Sequence, residues 1–248
     1  MTDHYNQPEL AVLYDAENGW DASDEFYCGL AERVGARTLL DLGCGTGILT
    51  RGILQAIGGS GVGVDPAAPM LEVARRNTTD ERVEWIVGDA RAIRLGRHFD
   101  LVLMTGHAFQ HFLTEADQIA LFRTVAAHLA PGGRFAFDSR NPAAKAWLEW
   151  VPAESRRVVE TAAYGAVEIW NEASMNPDNI LDVEEHYRIL SDGRHLHSDF
   201  RLRFSPPEEL WDGMMAAGLA VEHCYGDWDR RPFAPNQREI IVVARAAA

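Results

Sequence analysis

Three carboxylates and a run of alternate glycines carry the first chemical signal in the chain. Asp41 is followed by Gly43, Cys44, Gly45, Thr46 and Gly47, and two more acids close short apolar runs: Asp65 after Gly61-Val62-Gly63-Val64, and Asp89 after Val83 to Gly88. Alternate glycines let a backbone turn sharply and let a ligand lie against the main chain. The N–H groups that open the helical pattern beginning at Ile48 favour a polar or anionic ligand group. An acid at the C-terminal end of a buried strand needs a partner, so Asp41 marks a site rather than a plain turn. Asp65 lies 18 positions beyond Gly47, near the roughly 20-residue offset at which an acid meets a ribose diol in nucleotide-binding βαβ units. Its two oxygens can accept from two adjacent hydroxyls. Pro66 then reads as the first residue of the next helix.

A second set follows the fourth apolar run: Thr105-Gly106-His107-Ala108-Phe109-Gln110-His111-Phe112, and later Arg140-Asn141. A histidine beside a reacting group is a candidate general base, and His107 and His111 are the two candidates. An arginine presents a fork of donors that suits a carboxylate, so Arg140 is a candidate anion clamp.

These residues need elements to hold them. Between residues 38 and 138, apolar runs alternate with helical patterns, which predicts a parallel, doubly wound sheet. The expected strands end at Leu42, Asp65, Val87, Met104 and Asp138, with helices over Ile48 to Ile57, Met70 to Arg76 and Glu115 to Leu129, the last capped by Thr114. Ligands of such sheets lie beyond the carboxyl ends of the strands, where every residue singled out above falls. Before the sheet, Ser23 can cap a helix whose apolar stripe is Phe26, Leu30 and Val34. After it the period changes to two over Arg157 to Tyr164, Val167 to Ala173, Leu181 to Leu190 and His195 to Phe204, with Ser191-Asp192-Gly193 as a hairpin turn. Trp147, Trp150, Trp170 and Tyr187 in this antiparallel stretch are candidate walls of a substrate pocket. Pro206-Pro207 opens a helix to Ala217, and Ala220 to Tyr225 with Glu239 to Ala244 form a last pair of strands. The expected division is a helical leader over 1–36, a core over 37–140, an antiparallel insertion over 141–205, and a closing helix and hairpin over 206–248.

Bulk properties exclude several classes. The 248 residues carry a formal net charge of −14, which argues against a nucleic-acid partner, since that affinity rests on a basic surface. Cys28, Cys44 and Cys224 form neither a disulfide framework nor a zinc pattern, and His195-x-His197 alternates as on one face of a strand, so no metal is expected. No apolar run reaches the roughly 20 residues needed to span a bilayer. Met1 to Gln7 lacks the apolar core of a signal peptide. The expectation is a cytoplasmic protein, monomer or homodimer, with no membrane partner.

The stretch Leu39-Leu40-Asp41-Leu42-Gly43-Cys44-Gly45-Thr46-Gly47 resembles motif I of the class I S-adenosylmethionine-dependent methyltransferases, whose core it carries without a substitution. A dinucleotide fingerprint would require a third glycine where Ile48 stands, which disfavours an NAD-dependent oxidoreductase. The resemblance implies a Rossmann-like, seven-stranded, mostly parallel sheet with an antiparallel last strand, and S-adenosylmethionine as cofactor. It also implies Asp65 on the ribose, Asp89-Ala90 on the adenine, and Tyr14 folded over the cofactor. Met70, Gly88, Met104, Thr105, Gly106 and Phe109 complete the implied cofactor set. The loop Gly106 to Phe112 and the pair Arg140-Asn141 are similar to those of glycine/sarcosine-type N-methyltransferases, with His107 in place of an asparagine. That similarity implies a small-molecule acceptor whose carboxylate Arg140 grips. The expected reaction is methylation at N or O, in specialised metabolism, of an acceptor held by His107, Arg140 and Asn141 with Trp147, Trp170 and Tyr187 of the antiparallel stretch. The rival expectations are a non-catalytic protein of this fold that binds the cofactor and, less favoured, the oxidoreductase.

Overall fold

The computed structural model describes residues 4–247; Met1 to Asp3 and Ala248, at the ends of the expected leader and closing segment, lie outside the described residues. Five parallel strands form in the expected order: β1 (Thr38–Leu42), β2 (Ser60–Asp65), β3 (Val83–Val87), β4 (Phe99–Met104) and β5 (Leu129–Arg140). Two more, β10 (Leu219–Tyr225) and β11 (Glu239–Ala246), complete a seven-stranded sheet in the order β10-β11-β5-β4-β1-β2-β3, in which β11 runs antiparallel to both its neighbours. Between β5 and β10 the chain builds a second, four-stranded antiparallel sheet from β6 (Arg157–Thr161), β7 (Gly165–Met175), β8 (Ile180–Ile189) and β9 (His195–Arg203).

Helices cover both faces of the large sheet, as its near-continuous apolar strands require. On one face α3 (Ala22–Arg33) and α4 (Ile48–Ile57) bury Phe26, Tyr27, Ile53 and Leu54 against Leu39, Leu103 and Ile241. On the other, α6 (Glu115–His128) and α8 (Pro207–Ala216) bury Phe122, Val125, Leu210 and Met214 against Phe135, Phe137, Leu40 and Val102. The helix α5 (Ala68–Arg76) follows β2 and presents Met70 and Val73 to the leader, which starts with two short helices, α1 (Pro8–Ala11) and α2 (Tyr14–Glu17). A last short helix, α7 (Pro152–Ser155), leads into β6.

Three local expectations are corrected. The cap of α3 is Asp21, not Ser23: its carboxylate accepts from Ser23 N–H, and Asp24 reaches back to the Asp21 N–H, a reciprocal capping box. Val34, the third residue of the expected stripe, is exposed at the end of that helix, and Tyr27 and Ala31 take the buried face. Pro66 does not open α5, which starts two residues later at Ala68 with Pro69 in its first turn. Beyond these, Pro131, Gly132 and Gly133 lie inside β5, as an irregularity where pairing with β4 jumps from Phe99–Leu129 to Leu101–Arg134.

The period of two in the second sheet sorts its side chains into two faces. Val167, Ile169, Leu181, Val183, Glu185, Tyr187 and Ile189 face inward, where Leu10 and Leu13 of the leader pack on part of them. The opposite face carries Trp170, His186 and His195 in a stack with ring centroids 5.0 and 5.4 Å apart.

Behind the glycine loop, Trp85 of β3 fills the space against β2. A Cβ added at Gly47, whose φ is +72°, would sit 2.2 Å from the Trp85 ring, and one at Gly63 would sit 2.3 Å from the same ring and 2.9 Å from Cys44 Sγ. These two glycines therefore answer to a tryptophan. Gly63→Ala should cost about 1–3 kcal/mol by overpacking, seen as a lowered urea midpoint. Replacing Trp85 by Leu in the same chain should recover most of that loss; strictly additive effects would show that Trp85 is not the obstacle.

Candidate active site

Two connected cavities open at the carboxyl ends of the parallel strands. The larger is a cleft of about 600 Å³, within the range that holds nucleoside-sized ligands. Its lining includes Tyr14, Gly43, Gly45, Asp65, Pro66, Met70, Gly88, Asp89, Ala90, Met104, Thr105 and Gly106, which the sequence had marked, together with Tyr5, Asn6 and Arg91, which it had not. Asp41, Cys44, Thr46, Gly47 and Phe109 do not reach the cleft surface. Phe109 is fully buried, 4.8 Å from the Phe137 ring and 5.3 Å from Phe122, so it supports the loop from behind.

The glycine loop is fixed largely by its own hydrogen bonds. Gly43 and Cys44 N–H donate to Val64 O at 2.7 and 3.2 Å, and Gly47 N–H donates to Cys44 O. Gly45 N–H donates to Asp65 Oδ2 at 2.9 Å, and Ala67 N–H donates to Asp65 Oδ1 at 2.8 Å. The row of free donors suggested by the sequence is thus mostly spent on positioning Asp65. Each Asp65 oxygen keeps a second lone pair for a ligand hydroxyl. Burial pushes its carboxyl up to about 6, with the two backbone donors pulling the other way.

Asp41 lies beneath the loop, where Thr50 Oγ1 donates to its Oδ2 at 2.5 Å. Its Oδ1 has no hydrogen-bond partner among the described residues, and burial pushes its carboxyl up to about 6. Asp89 is already engaged: Arg91 Nε and Nη2 donate to its two oxygens at 3.0 and 2.5 Å, and Arg91 Nη1 reaches Asp117 at 2.7 Å. That guanidinium holds the Asp89 carboxyl below the ordinary range. A doubly accepting Asp65 at the cleft surface suits a ligand that brings hydroxyl donors.

Comparison with known proteins gives the family of the chain. A family model described as a methyltransferase domain matches residues 39–133. A cypemycin N-terminal methyltransferase from a Streptomyces sp is 38% identical over 210 residues, spanning 84% of this chain and 82% of that protein. The chain belongs to the class I S-adenosylmethionine-dependent methyltransferases. A glycine/sarcosine N-methyltransferase from Parasynechococcus marenigrum (strain WH8102) is 30% identical over 245 residues, 92% of this methyltransferase and 82% of that one. The solved structure of the CcbJ methyltransferase from Streptomyces caelestis shares the fold, with a TM-score of 0.77, 24% identity and 99% and 98% of the two chains covered.

The second cavity of the methyltransferase, about 170 Å³, lies beyond Tyr5, Tyr14, Gly106 and His111, which line both spaces. Tyr5 meets His111 and Tyr14 edge-on at 5.5 and 6.1 Å, and His111 lies 6.1 Å from Phe200, so His111 is part of an aromatic partition. His107 adopts a left-handed φ of 59°; its N–H donates to Asp138 Oδ2 at 2.6 Å and its Nε2 pairs with Glu239 Oε2 at 2.8 Å. Asp138 is fully buried, accepts also from Tyr27 O–H at 2.6 Å, and is pushed up by that burial. Arg140 stacks over Trp150, 4.8 Å from the ring centre, and donates from Nη1 to Gln110 Oε1 at 2.9 Å; its remaining side-chain donors have no partner among the described residues.

The other expected substrate residues lie elsewhere. Asn141 Nδ2 donates to Pro235 O and Gln237 O, tying β5 to the segment before β11. Trp147 packs on Phe204 at 4.8 Å in a separate core. Trp170 is on the outer face of the second sheet, one position off the inward parity, with Arg156 over its ring. Tyr187 points inward but is covered, and its O–H donates to Glu185 at 2.8 Å. Of the expected aromatic walls, Trp150 does line the pocket, together with Glu17, Arg157, Asn171, Glu185, Phe200 and Leu202, which the sequence had not marked. Glu185 had a legible signal, an acid in the inward series Leu181, Val183, Glu185, Tyr187, Ile189.

Among the described residues no helix is long and apolar enough to cross a membrane, and no group of three His, Cys, Asp or Glu side chains is placed to hold a metal ion.

The Asp41 carboxyl is raised on folding from its ordinary value to about 6. The folded state therefore holds its proton more tightly, and stability from this group is present below about 4 and lost as pH rises towards 6. Asp41→Asn should melt higher than the parent at pH 7 without ligand, by about 1–3 kcal/mol, with the gain vanishing near pH 3.5. An equal gain at both pH values would show that the effect is not ionic.

Proposed function

We propose that this methyltransferase acts on the nitrogen of a small amine that also carries an anionic group. The observation that carries the reading is the cavity of about 170 Å³ beside Gly106, lined by a half-buried arginine with unspent donors and by two glutamates. Its size admits a group of a few heavy atoms. Both curated relatives described above are named for methylation of nitrogen, one at an N-terminus and one on glycine or sarcosine, which supports N over O.

In this reading Asp65 accepts from the ribose hydroxyls, Asp89 and Ala90 face the adenine, and Gly43, Gly45, Thr105 and Gly106 line the methionine end. Tyr14 and Met70 close over them. Bound there, the cofactor supplies a sulfonium methyl with a neutral thioether as leaving group. The work left to the protein is to place a nucleophile in line and to exclude water. Tyr5, Tyr14 and His111 provide the partition, and their rings suit a neighbouring cation. Arg140 grips the acceptor's anion. His107, with Nε2 committed to Glu239 and its backbone locked to Asp138, shapes the pocket floor and positions the acceptor.

Two measurements test this. Asp65→Ala should weaken S-adenosylhomocysteine binding by about 1–3 kcal/mol, ten- to hundredfold, by calorimetry; unchanged affinity rejects the ribose assignment, and binding of NADH in place of S-adenosylhomocysteine would overturn the cofactor reading. With methyl-labelled cofactor, glycine or sarcosine should accept label, and Arg140→Ala should raise the KM for that amine about ten- to hundredfold while kcat changes less. Transfer to hydroxyl acceptors alone would overturn the amine assignment.

A further inference from the structure

We infer that His107 is the base that takes the proton the acceptor amine must lose, and that Glu239 positions it by fixing which ring nitrogen is open. The inference rests on the reading above that the acceptor is an amine, and it names the groups that make that amine reactive.

His107 follows Gly106, which lines both cavities, and itself lines the smaller one and not the cleft. It therefore stands on the acceptor side of the junction. Two strands hold it there. Asp138 of β5 accepts the His107 backbone N–H at 2.6 Å and so fixes the left-handed turn, and Tyr27 of α3 occupies the other Asp138 oxygen. Glu239, the first residue of β11, meets the ring at Nε2, 2.8 Å away. Glu239 is paired in register with Arg140 across the β5–β11 ladder, so the same strand pair sets the base and the anion grip.

A carboxylate can only accept, so the proton of a neutral His107 sits on Nε2. Nδ1 then carries the lone pair, and it has no hydrogen-bond partner among the described residues. A second acid stands close, with Asp138 Oδ2 3.7 Å from Nε2, while Arg140 and Arg238 are the cations that face Glu239. Two acids beside the ring favour the imidazolium that forms when Nδ1 gains a proton.

The chemistry of the acceptor calls for such a group. An alkylamine with an ordinary pKa near 10.4 is free base to less than about one part in a thousand at pH 7. In a pocket closed to water the proton needs an acceptor inside it. In the step proposed, an N–H bond of the ammonium breaks and an N–H bond forms at His107 Nδ1. The electron pair stays on the amine nitrogen as the nucleophile, and the proton leaves to solvent when product is released.

The experiment follows kcat/KM for sarcosine from pH 7 to pH 9 in the parent, His107→Asn and Glu239→Gln. Asparagine tolerates the left-handed backbone but takes no proton. The glutamine amide can donate to Nε2 and move the ring proton to Nδ1, which closes the lone pair without changing the shape. Each variant should lose about a hundredfold at pH 7 with S-adenosylhomocysteine affinity unchanged. That deficit should shrink about ten- to hundredfold by pH 9, because a variant without a base uses only free amine from solution, whose fraction rises about tenfold per pH unit. A structural role would leave the deficit constant. If His107→Asn fails to fold, Glu239→Gln decides. No deficit, or one that pH does not change, would overturn the base and leave the amine reading standing; a loss confined to His107→Asn would overturn the part given to Glu239. A parent that labels neither glycine nor sarcosine would overturn both readings together.

Discussion

The carboxylate of Asp65 holds the two halves of the cofactor cleft in one geometry. One oxygen takes the N–H of Gly45 in the loop after β1, and the other takes the N–H of Ala67 ahead of α5. The loop cannot drift from the end of β2 without leaving a buried acid unpartnered, a loss of about 1–3 kcal/mol. Trp85 presses from behind and removes the room in which Gly47 or Gly63 could carry a side chain. The hydrogen bonds set where the loop's surface faces, and the tryptophan prevents its collapse. The acid proposed to meet the ribose hydroxyls is thus also the clasp of the loop, so the cleft is preorganised by the chain's own hydrogen bonds.

The leader extends this arrangement to the acceptor side. Thr46 at the crest of the glycine loop donates to Asp15, and Glu17 two residues on is paired with Arg157 at the start of β6. Leu10 and Leu13 meanwhile bury themselves against Val167, Ile169 and Ile189 of the second sheet. The segment from Tyr5 to Glu17 therefore touches both the cofactor loop and the second cavity. Its aromatic side chains, with His111, stand where the two cavities meet. Because apolar packing and ion pairs both tie it down, it is part of the wall, and the buried charges around it are shielded from water.

What was legible in the sequence follows from how local each signal is. The strand ends at Asp41, Asp65 and Met104 and the five-strand order rest on short-range patterns, apolar runs punctuated by glycine, and the structure reproduces them. Asp65 could be assigned because its partners lie within one βαβ unit. Phe109 could not: an aromatic residue in a loop beside a cleft can turn either way, and here the Phe122–Phe137 cluster claimed it. Trp170 was misplaced by a single step of strand parity, which reverses the face of every side chain. Glu239 and Glu17 were invisible because their importance depends on contacts with His107 and Arg157, 132 and 140 positions away. Glu185 alone could have been found, since a charged residue in an inward apolar series demands a reason.

The two sheets divide recognition between them in a way that their physics favours. The parallel sheet delivers short loops at one edge, suited to a ligand whose polar groups are met by backbone and by acids at strand ends. The antiparallel sheet offers a face in which every second residue can be changed without disturbing the ladder. On that face this chain places Glu185, Asn171, Phe200 and Leu202 in the same pocket as Arg140, which belongs to β5 of the other sheet. The cation is thus fixed to the cofactor framework, and the anions are carried by the added sheet and the leader. Under the function proposed above, such a division lets one end of the acceptor be read by variable elements while its anionic end is registered against the strands that position the cofactor, which is the alignment an in-line transfer requires.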